Sequence, residues 1–295
     1  FGGAAAHSFS PLERPMSAAV GVALIVSGHA GGWPVAKGGS RAISDALAAV
    51  TVAEGGAIET GRRIRDLAEL SAADAVVLDL DPRGVIELAG DRLPDRVRRA
   101  YAGYRYGPGS FKLDLAVEGG VPWIDESCRR AGTVHVGGTI EEVAFAEREV
   151  NRGRMPERPF ILVCQQYVAD PSRSAGEVHP VWAYAHVPCF YDGDASEAIL
   201  DQIERFAPGL RERIVGRFAR STLGFYEYNT NWVGGDIATG ANTPAQMIMR
   251  PRSGLRPYET GIPGVYMCSS ATPPGGGVHG MCGANAAEVV LRQLG

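Results

Sequence analysis

A run of six residues near the C-terminal end of the chain has the spacing of a nucleotide-binding loop. The run Gly275-Gly-Gly-Val-His-Gly280 matches G-x-G-x-x-G, between a predicted strand at 264–269 and a predicted helix at 284–294. In dinucleotide-binding folds this motif opens a βαβ unit of about 30 residues, with an acidic residue about 20 positions later. The chain ends at Gly295, so no second strand and no ribose-binding acid follow the run. The motif therefore does not predict a first Rossmann turn.

The same glycines suit a different kind of ligand contact. Glycine lets the backbone approach a flat ligand closely and direct amide N–H groups at it. The helix that follows adds its positive N-terminal end. A reduced flavin carries negative charge on its pyrimidine side, and a strand–loop–helix of this kind would stabilise that charge, which is the usual contribution of a protein to cofactor chemistry. The alternative is a glycine-rich surface turn without a ligand.

The residues around the loop resemble the C-terminal signature of phytoene-desaturase-like flavoproteins, a branch of the FAD-linked amine-oxidase and carotenoid-oxidoreductase group. The signature is Gly264-Val-Tyr-Met-Cys-Ser-Ser-Ala-Thr-Pro-Pro-Gly-Gly-Gly-Val-His-Gly-Met-Cys-Gly-Ala-Asn-Ala-Ala. Three earlier stretches agree with the family in order and spacing, at 33–40, 55–61 and 73–82. The first is the proline-to-double-glycine loop Trp33-Pro-Val-Ala-Lys-Gly-Gly-Ser40. The resemblance is strongest over 261–290 and weakest in the middle of the chain.

The resemblance implies an FAD-dependent oxidoreductase that transfers hydride between flavin and an apolar or amine-type substrate. By resemblance, Gly276, Gly277, Val278 and His279 line the flavin ring, with Gly275 and Gly280 in the same loop. Ser269 and Ser270 would lie near the ribityl and phosphate portion, and Ile64 would contact adenine through its backbone. His279 is the one titratable side chain of the loop, so it either contacts the flavin edge or transfers a proton. No other catalytic residue is predicted.

Two departures from the family pattern affect the cofactor site. The N-terminal G-x-G-x-x-G unit with its ribose-binding acid is absent, and the segment between Ile64 and Ala72 is short. We therefore expect an incomplete FAD site in this chain, with the missing N-terminal segment or a complementary chain as a partner. The alternative from another class is a non-catalytic fragment or subunit that acts as a structural or interaction module. A carrier of apolar ligands is a third hypothesis.

The pattern of elements predicts an α/β fold in which an incomplete FAD-binding, Rossmann-like domain is interleaved with an α+β substrate domain built on a mixed sheet. The expected organisation is a helical part of the substrate domain at 1–33, FAD-domain segments at 34–95 and 255–295, and the rest of the substrate domain at 96–254. Ser40 is expected to cap a helix over 41–53 whose apolar positions Ile43, Leu47 and Val50 recur on one face. The predicted strands are 57–60, 75–78, 111–117, 133–136, 160–165, 181–187 and 264–269.

Composition excludes several classes of function. The net charge is −4, and no basic stripe with interleaved aromatic residues predicts nucleic-acid binding. Five cysteines without a C-x-x-C pair, and histidines at 135, 179 and 186, do not have the spacing of metal ligands. The apolar stretch 16–27 is too short to span a membrane and predicts a buried helix. No G-x-S-x-G elbow or P-loop motif occurs. Reduced cysteines fit a cytoplasmic protein.

Overall fold

The computed structural model describes the whole chain, Phe1–Gly295, and divides it into two compact units. Unit 1 comprises Phe1–Arg62 and Ser110–Ser221, and unit 2 comprises Arg63–Gly109 and Thr222–Gly295. Each unit is thus built from two separate stretches of the chain. The predicted domain segments have other limits, and their assignment to FAD and substrate domains stays a prediction.

Unit 1 is organised around a five-stranded sheet with the strand order β3-β4-β5-β2-β6. The pairs β3–β4, β4–β5 and β2–β6 are antiparallel. Its strands are β2 (Gly109–Glu118), β3 (Thr133–Val136), β4 (Ile161–Cys164), β5 (Val178–Val187) and β6 (Ile214–Arg220). Its helices are α1 (Gly2–Ala6), α2 (Ser17–Gly31), α3 (Arg41–Ala53), α6 (Glu126–Arg129), α7 (Ile140–Asn151), α8 (Ser196–Glu204) and α9 (Leu210–Arg213).

The core of unit 1 lies on one face of this sheet. Alternate residues of β2 point into it, since Leu113 and Val117 are fully buried while Asp114 and Ala116 between them are partly exposed. Alternation of this kind follows from the two-residue period of a strand. Ile199 and Ile203 of α8 belong to the same core. A second, smaller cluster comprises Ala6, Val143, Ala146 and Phe160.

Unit 2 is built around two parallel strands, β1 (Val76–Leu78) and β7 (Val265–Met267), with Val76 opposite Val265. Its helices are α4 (Pro82–Ala89), α5 (Asp95–Ala102), α10 (Thr222–Tyr228), α11 (Pro244–Ile248) and α12 (Met281–Leu294). Short 3-10 helices at Leu67–Leu70, Gly90–Arg92 and Val233–Gly235 complete it. With one parallel and one antiparallel sheet, the chain has the mixed α/β fold that the sequence predicts.

Two local predictions for residues 40–60 are wrong. Residues 57–60 do not form a strand, and Ile58 is 53% exposed, because no strand of the molecule pairs with this segment. Helix α3 has the predicted bounds, but Ser40 is itself in helical conformation and its side chain caps nothing. The apolar face of α3 is exposed, with Leu47 at 66% and no buried residue on the helix.

The predicted burial of the apolar stretch at 16–27 is also wrong. It forms most of α2, but only Ser17 and Gly21 are buried, while Val22 and Val26 are half exposed. Gly21 is buried because it packs directly on the backbone of Ala5 in α1. No helix of the chain has both the length and the apolar character to cross a membrane.

Candidate functional site

The loop that joins β7 to α12 has two halves with opposite exposure. The first half, Ser269 to Gly275, is largely buried and hydrogen-bonded. Ser269 begins it with a tight turn, since its carbonyl oxygen accepts from both the amide and the hydroxyl of Thr272, at 2.8 and 2.7 Å. The Tyr258 hydroxyl donates to the Pro273 carbonyl at 2.8 Å. This half is fixed by its own unit and serves as the base of the loop.

The second half of the loop, Gly276–Gly280, lies open to solvent. All five residues are exposed, and the Val278 side chain is 92% exposed. Gly277 has φ +154, and a Cβ at this position would meet the His279 ring at 2.7 Å. Its glycine is therefore needed both for the conformation of the backbone and for the approach of the imidazole. This half presents a strip of backbone with a single apolar side chain on it.

The open half leads directly into the N-terminus of α12. Gly280 is the N-cap residue and offers no side chain, and the first turn of the helix holds no acidic residue. The amide of Met281 donates to Nδ1 of His279 at 3.0 Å. Because Nδ1 accepts this bond, a neutral His279 ring carries its hydrogen on Nε2. The partial positive charge of a 14-residue helix is thus directed at the glycine strip without an anionic side chain to neutralise it.

A buried arginine, which the sequence analysis did not single out, holds the base of the loop. Arg250 is 3% exposed and donates to the Ser270 carbonyl at 3.2 Å. It also donates to the Gln246 carbonyl and to Oδ1 of Asn242, both at 3.0 Å. A Cβ at Gly275, where φ is +108, would lie 2.8 Å from its guanidinium. No motif indicates this role, because one arginine before a proline resembles many others in the sequence.

Asp236 organises a second loop of the same unit. Its carboxylate accepts from the amides of Gly107, Ala238 and Gly240 at 2.7–2.9 Å, and the residue is 1% exposed. Burial raises the pKa of Asp236, while the three amides and the nearby Arg250 act in the opposite direction. The side chain is turned into the backbone of its own unit, so it is a structural acceptor.

The segment that follows the C-terminal end of β1 is held by a third polar cluster. Asn231 accepts from the Asp81 amide and donates to the Asp79 carbonyl, both at 2.9 Å, much as a neighbouring strand would. The Asp81 carboxylate caps α4 through the amides of Arg83 and Gly84, with Pro82 at the first helical position. The Tyr106 hydroxyl also donates to the Asp81 carboxylate. Burial is the larger cause, and this hydrogen bond a further cause, of a raised pKa of Tyr106.

The remaining predicted binding residues, Ser269, Ser270 and Ile64, differ in their burial and in their hydrogen bonds. Ser269 is buried, and its hydroxyl accepts from the Ala271 amide at 3.3 Å, so its side chain is engaged within the turn. Ser270 is half-buried, with its carbonyl on Arg250. Ile64 is half-buried in irregular backbone before the 3-10 helix Leu67–Leu70. Their assignments to ribityl, phosphate and adenine remain predictions.

The histidines of unit 1 lie away from the glycine loop in sequence and form their own cluster. His186 is fully buried, and its Nδ1 lies 2.7 Å from Oε1 of the fully buried Glu147. His7 and His135 approach each other at 2.9 Å between their Nε2 atoms. Burial and the neighbouring His135 and His186 lower the pKa of His7 to about 3. No group of three or more histidine, cysteine, aspartate or glutamate side chains is placed to hold a metal ion.

The chain is similar to curated proteins along most of its length. It is 25% identical to the pyridine nucleotide-disulfide oxidoreductase domain-containing protein 2 of Rattus norvegicus, over 318 aligned positions that cover 91% of the chain. The protein of the same name from Mus musculus is 24% identical over the same share. The chain spans about half the length of these relatives, 53% in each case. No family model matches the chain.

Among solved structures, the crystal structure of an oxidoreductase from Methanosarcina mazei has a similar fold. The TM-score is 0.57 at 17% identity, and the match covers 98% of this chain and 64% of that protein. At this identity the similarity concerns the fold alone.

The residues of the loop fit a flat ligand with negative charge on one edge. The glycine strip offers exposed backbone, and Val278 offers apolar surface for a ring. The open N-terminus of α12 offers positive potential. A site for the ring of a flavin makes use of all three features, whereas a plain surface turn needs none of them.

Proposed function

We propose that the intact protein is an FAD-dependent oxidoreductase and that Gly275–Gly280 holds the flavin ring. The observation that carries the proposal is the exposed glycine strip joined to a helix N-terminus whose first turn holds no acidic side chain. The similarity to oxidoreductase domain-containing relatives over 91% of the chain supports it, and so does the similar fold of the Methanosarcina mazei oxidoreductase. The finer assignment to the phytoene-desaturase-like branch rests on the signature at 264–287 and belongs to the same proposal, as does a cytoplasmic location.

The flavin would supply the redox chemistry, accepting hydride from, or delivering it to, an apolar or amine-type substrate. The residues of this chain contribute binding and electrostatics. The backbone of Gly276 and Gly277 allows close contact with a ring, and Val278 packs on it. The N-terminus of α12 favours negative charge on the pyrimidine edge. His279 holds the Met281 amide through Nδ1, so its Nε2–H remains free to donate towards the ring.

The test is a charge placed at the helix N-terminus. Met281→Asp introduces a carboxylate into the first turn of α12, which stabilises a helix by about 0.3–1 kcal/mol. The same charge opposes the negative charge that the pyrimidine side of a flavin carries after reduction. We therefore expect the affinity of the intact protein for reduced FAD to fall about tenfold, which corresponds to about 1.4 kcal/mol, while thermal stability is kept or raised. Anaerobic titration with chemically reduced FAD, followed by flavin absorbance, measures the effect.

Met281→Gln is the matched control, since it is polar, uncharged and similar in length, and it should bind FAD within about threefold of the native protein. Hydrogen exchange of residues 275–281 should slow when FAD is added. Absence of flavin absorbance in the intact protein, together with unchanged exchange in this segment, contradicts the proposal. That outcome favours the second hypothesis, a structural or interaction module. Apolar-ligand binding without redox change would indicate a carrier.

A further inference from the structure

The base of the glycine loop contains a buried cation whose partners are all neutral. Arg250 is 3% exposed, and its three hydrogen bonds go to the carbonyls of Gln246 and Ser270 and to the amide oxygen of Asn242. Neutral oxygens satisfy the guanidinium without cancelling its charge. In a poorly solvated site such a charge acts over a longer distance than it does at a surface.

The position of this charge in the loop is defined by Gly275. Because a Cβ at Gly275 would lie 2.8 Å from Nη1 of Arg250, the guanidinium packs directly on the backbone where the buried half of the loop ends. The exposed half begins at the next residue. The charge thus lies next to Gly275, the residue directly before the exposed strip.

The buried acid of the same unit does not pair with Arg250 through a hydrogen bond. The oxygens of Asp236 are engaged by the amides of Gly107, Ala238 and Gly240. Arg250 favours the charged form of Asp236 electrostatically, so part of its field is compensated there. The guanidinium itself remains bonded to Ser270 and in contact with Gly275.

From this arrangement we propose that Arg250 is a positioning residue that fixes the glycine loop and, through its buried charge, raises the reduction potential of the bound flavin. The inference rests on the proposed function. A neutral oxidised flavin that takes up two electrons and one proton becomes an anion, and a fixed positive charge close to it favours the reduced form. The electrons and the proton come from the substrate, so Arg250 exchanges neither.

Three variants distinguish the effect of the Arg250 charge from the effect of the shape of its side chain. Arg250→Gln removes the charge and keeps a hydrogen-bond donor, whereas Arg250→Lys keeps the charge and loses the planar fork. Asn242→Asp keeps Arg250 and places a carboxylate on its guanidinium, in the position of the amide oxygen that now lies at 3.0 Å. The last variant is nearly isosteric, so it remains informative if Arg250→Gln does not fold.

The readout is the reduction potential of FAD bound to the intact protein, measured by equilibration with a reference dye. For Arg250→Gln and Asn242→Asp we expect the equilibrium constant for reduction to fall about tenfold, which is about 30 mV for a two-electron couple. Arg250→Lys should stay within about threefold of the native value, even where its affinity for FAD is lower. A purely structural arginine would change affinity in all variants without this charge-dependent order.

The experiment distinguishes failure of the proposed function from failure of the role proposed for Arg250. If the native protein binds no FAD, the proposed function fails and the role of Arg250 fails with it. If the native protein and the folded variants bind FAD with the same potential, the glycine-loop site stands and the role of Arg250 is overturned. A lower potential in Asn242→Asp alone, with Arg250→Gln unfolded, supports the proposal.

Discussion

Two sets of buried ionisable side chains, one in each unit, differ in the groups to which they are hydrogen-bonded. In unit 2, Asp236 and Arg250 are buried, and each has three hydrogen bonds to backbone or amide groups of its loops. In unit 1, Glu147 and His186 are buried against each other, and Oε2 of Glu147 and Nε2 of His186 have no partner within the protein. Asp236 and Arg250 hold loop backbone of unit 2, whereas the Glu147–His186 pair of unit 1 lies among aromatic rings.

The difference follows from the structures that surround these groups. Unit 1 has a five-stranded sheet, so its backbone amides are satisfied by strands, and His186 packs on Phe9 with ring centroids 3.8 Å apart. Unit 2 has two strands of three residues and long connections, whose amides need other acceptors. In unit 2, side-chain oxygens of Asp236 and Asn231 accept hydrogen bonds from backbone amides that are not paired within a sheet. A loop that must hold a defined shape for a ligand benefits from this arrangement.

The largest expected effect of a single substitution lies in unit 1. Glu147→Ala removes one member of the buried pair and leaves the His186 ring without its acceptor. Breaking a buried pair of this kind costs about 3–5 kcal/mol of unfolding free energy. Urea denaturation measures the effect. Glu141→Ala, at an exposed position of the same helix, should cost less than about 1 kcal/mol.

The double variant Glu147→Leu/His186→Phe sharpens the comparison. Replacing both members by apolar groups removes the two unpartnered atoms, and such replacements are often neutral or stabilising. The double variant should therefore recover most of the stability lost in the single one. A double variant as unstable as Glu147→Ala would indicate that the pair itself stabilises unit 1.

Asp236 provides the corresponding experiment in unit 2. Asp236→Asn keeps the shape of the side chain but turns an NH₂ group towards backbone amides that now donate to a carboxylate. Hydrogen bonds to charged groups contribute about 1.5–3 kcal/mol, so we expect a loss of roughly 2–3 kcal/mol in thermal or chemical unfolding. Asp91→Asn, whose carboxylate is fully exposed beside Arg98, should change stability by less than about 1 kcal/mol. Equal effects of the two substitutions would contradict a structural role for Asp236.

Sequence patterns predicted the sheet of unit 1 better than the loops of unit 2. Strand β2 is predicted because Phe111, Leu113, Leu115 and Val117 alternate with polar residues, and they are buried as expected. Strand β6 (Ile214–Arg220) is missed, because this exposed edge strand has no alternating apolar pattern and forms by pairing with β2.

In the candidate site, too, only those features that leave a local pattern in the sequence could be predicted. The glycine loop is visible because its composition is unusual and local, and the structure does place it between a strand and a helix. Arg250 and Asp236 act on residues distant in sequence, such as Ser270 and Gly107. Contacts of this kind follow from tertiary structure and leave no periodic signal in the chain.

The smallest expected effect distinguishes a shaped loop from a plain turn. Gly275→Ala requires a residue with Cβ at φ +108 and forces the guanidinium of Arg250 to move. Strain at such a position costs about 1–3 kcal/mol.

Gly283→Ala is the matched control, because Gly283 lies in the first turn of α12 and a Cβ there meets nothing within 4 Å. Alanine is the better helix former, so this control should be neutral or stabilising by up to about 1 kcal/mol. Opposite signs for two Gly→Ala changes eight positions apart, measured by thermal unfolding, would show that the base of the loop depends on its glycine. If both variants had the stability of the native protein, Arg250 would not constrain the loop, and the contrast between the two units would reduce to the number of their strands.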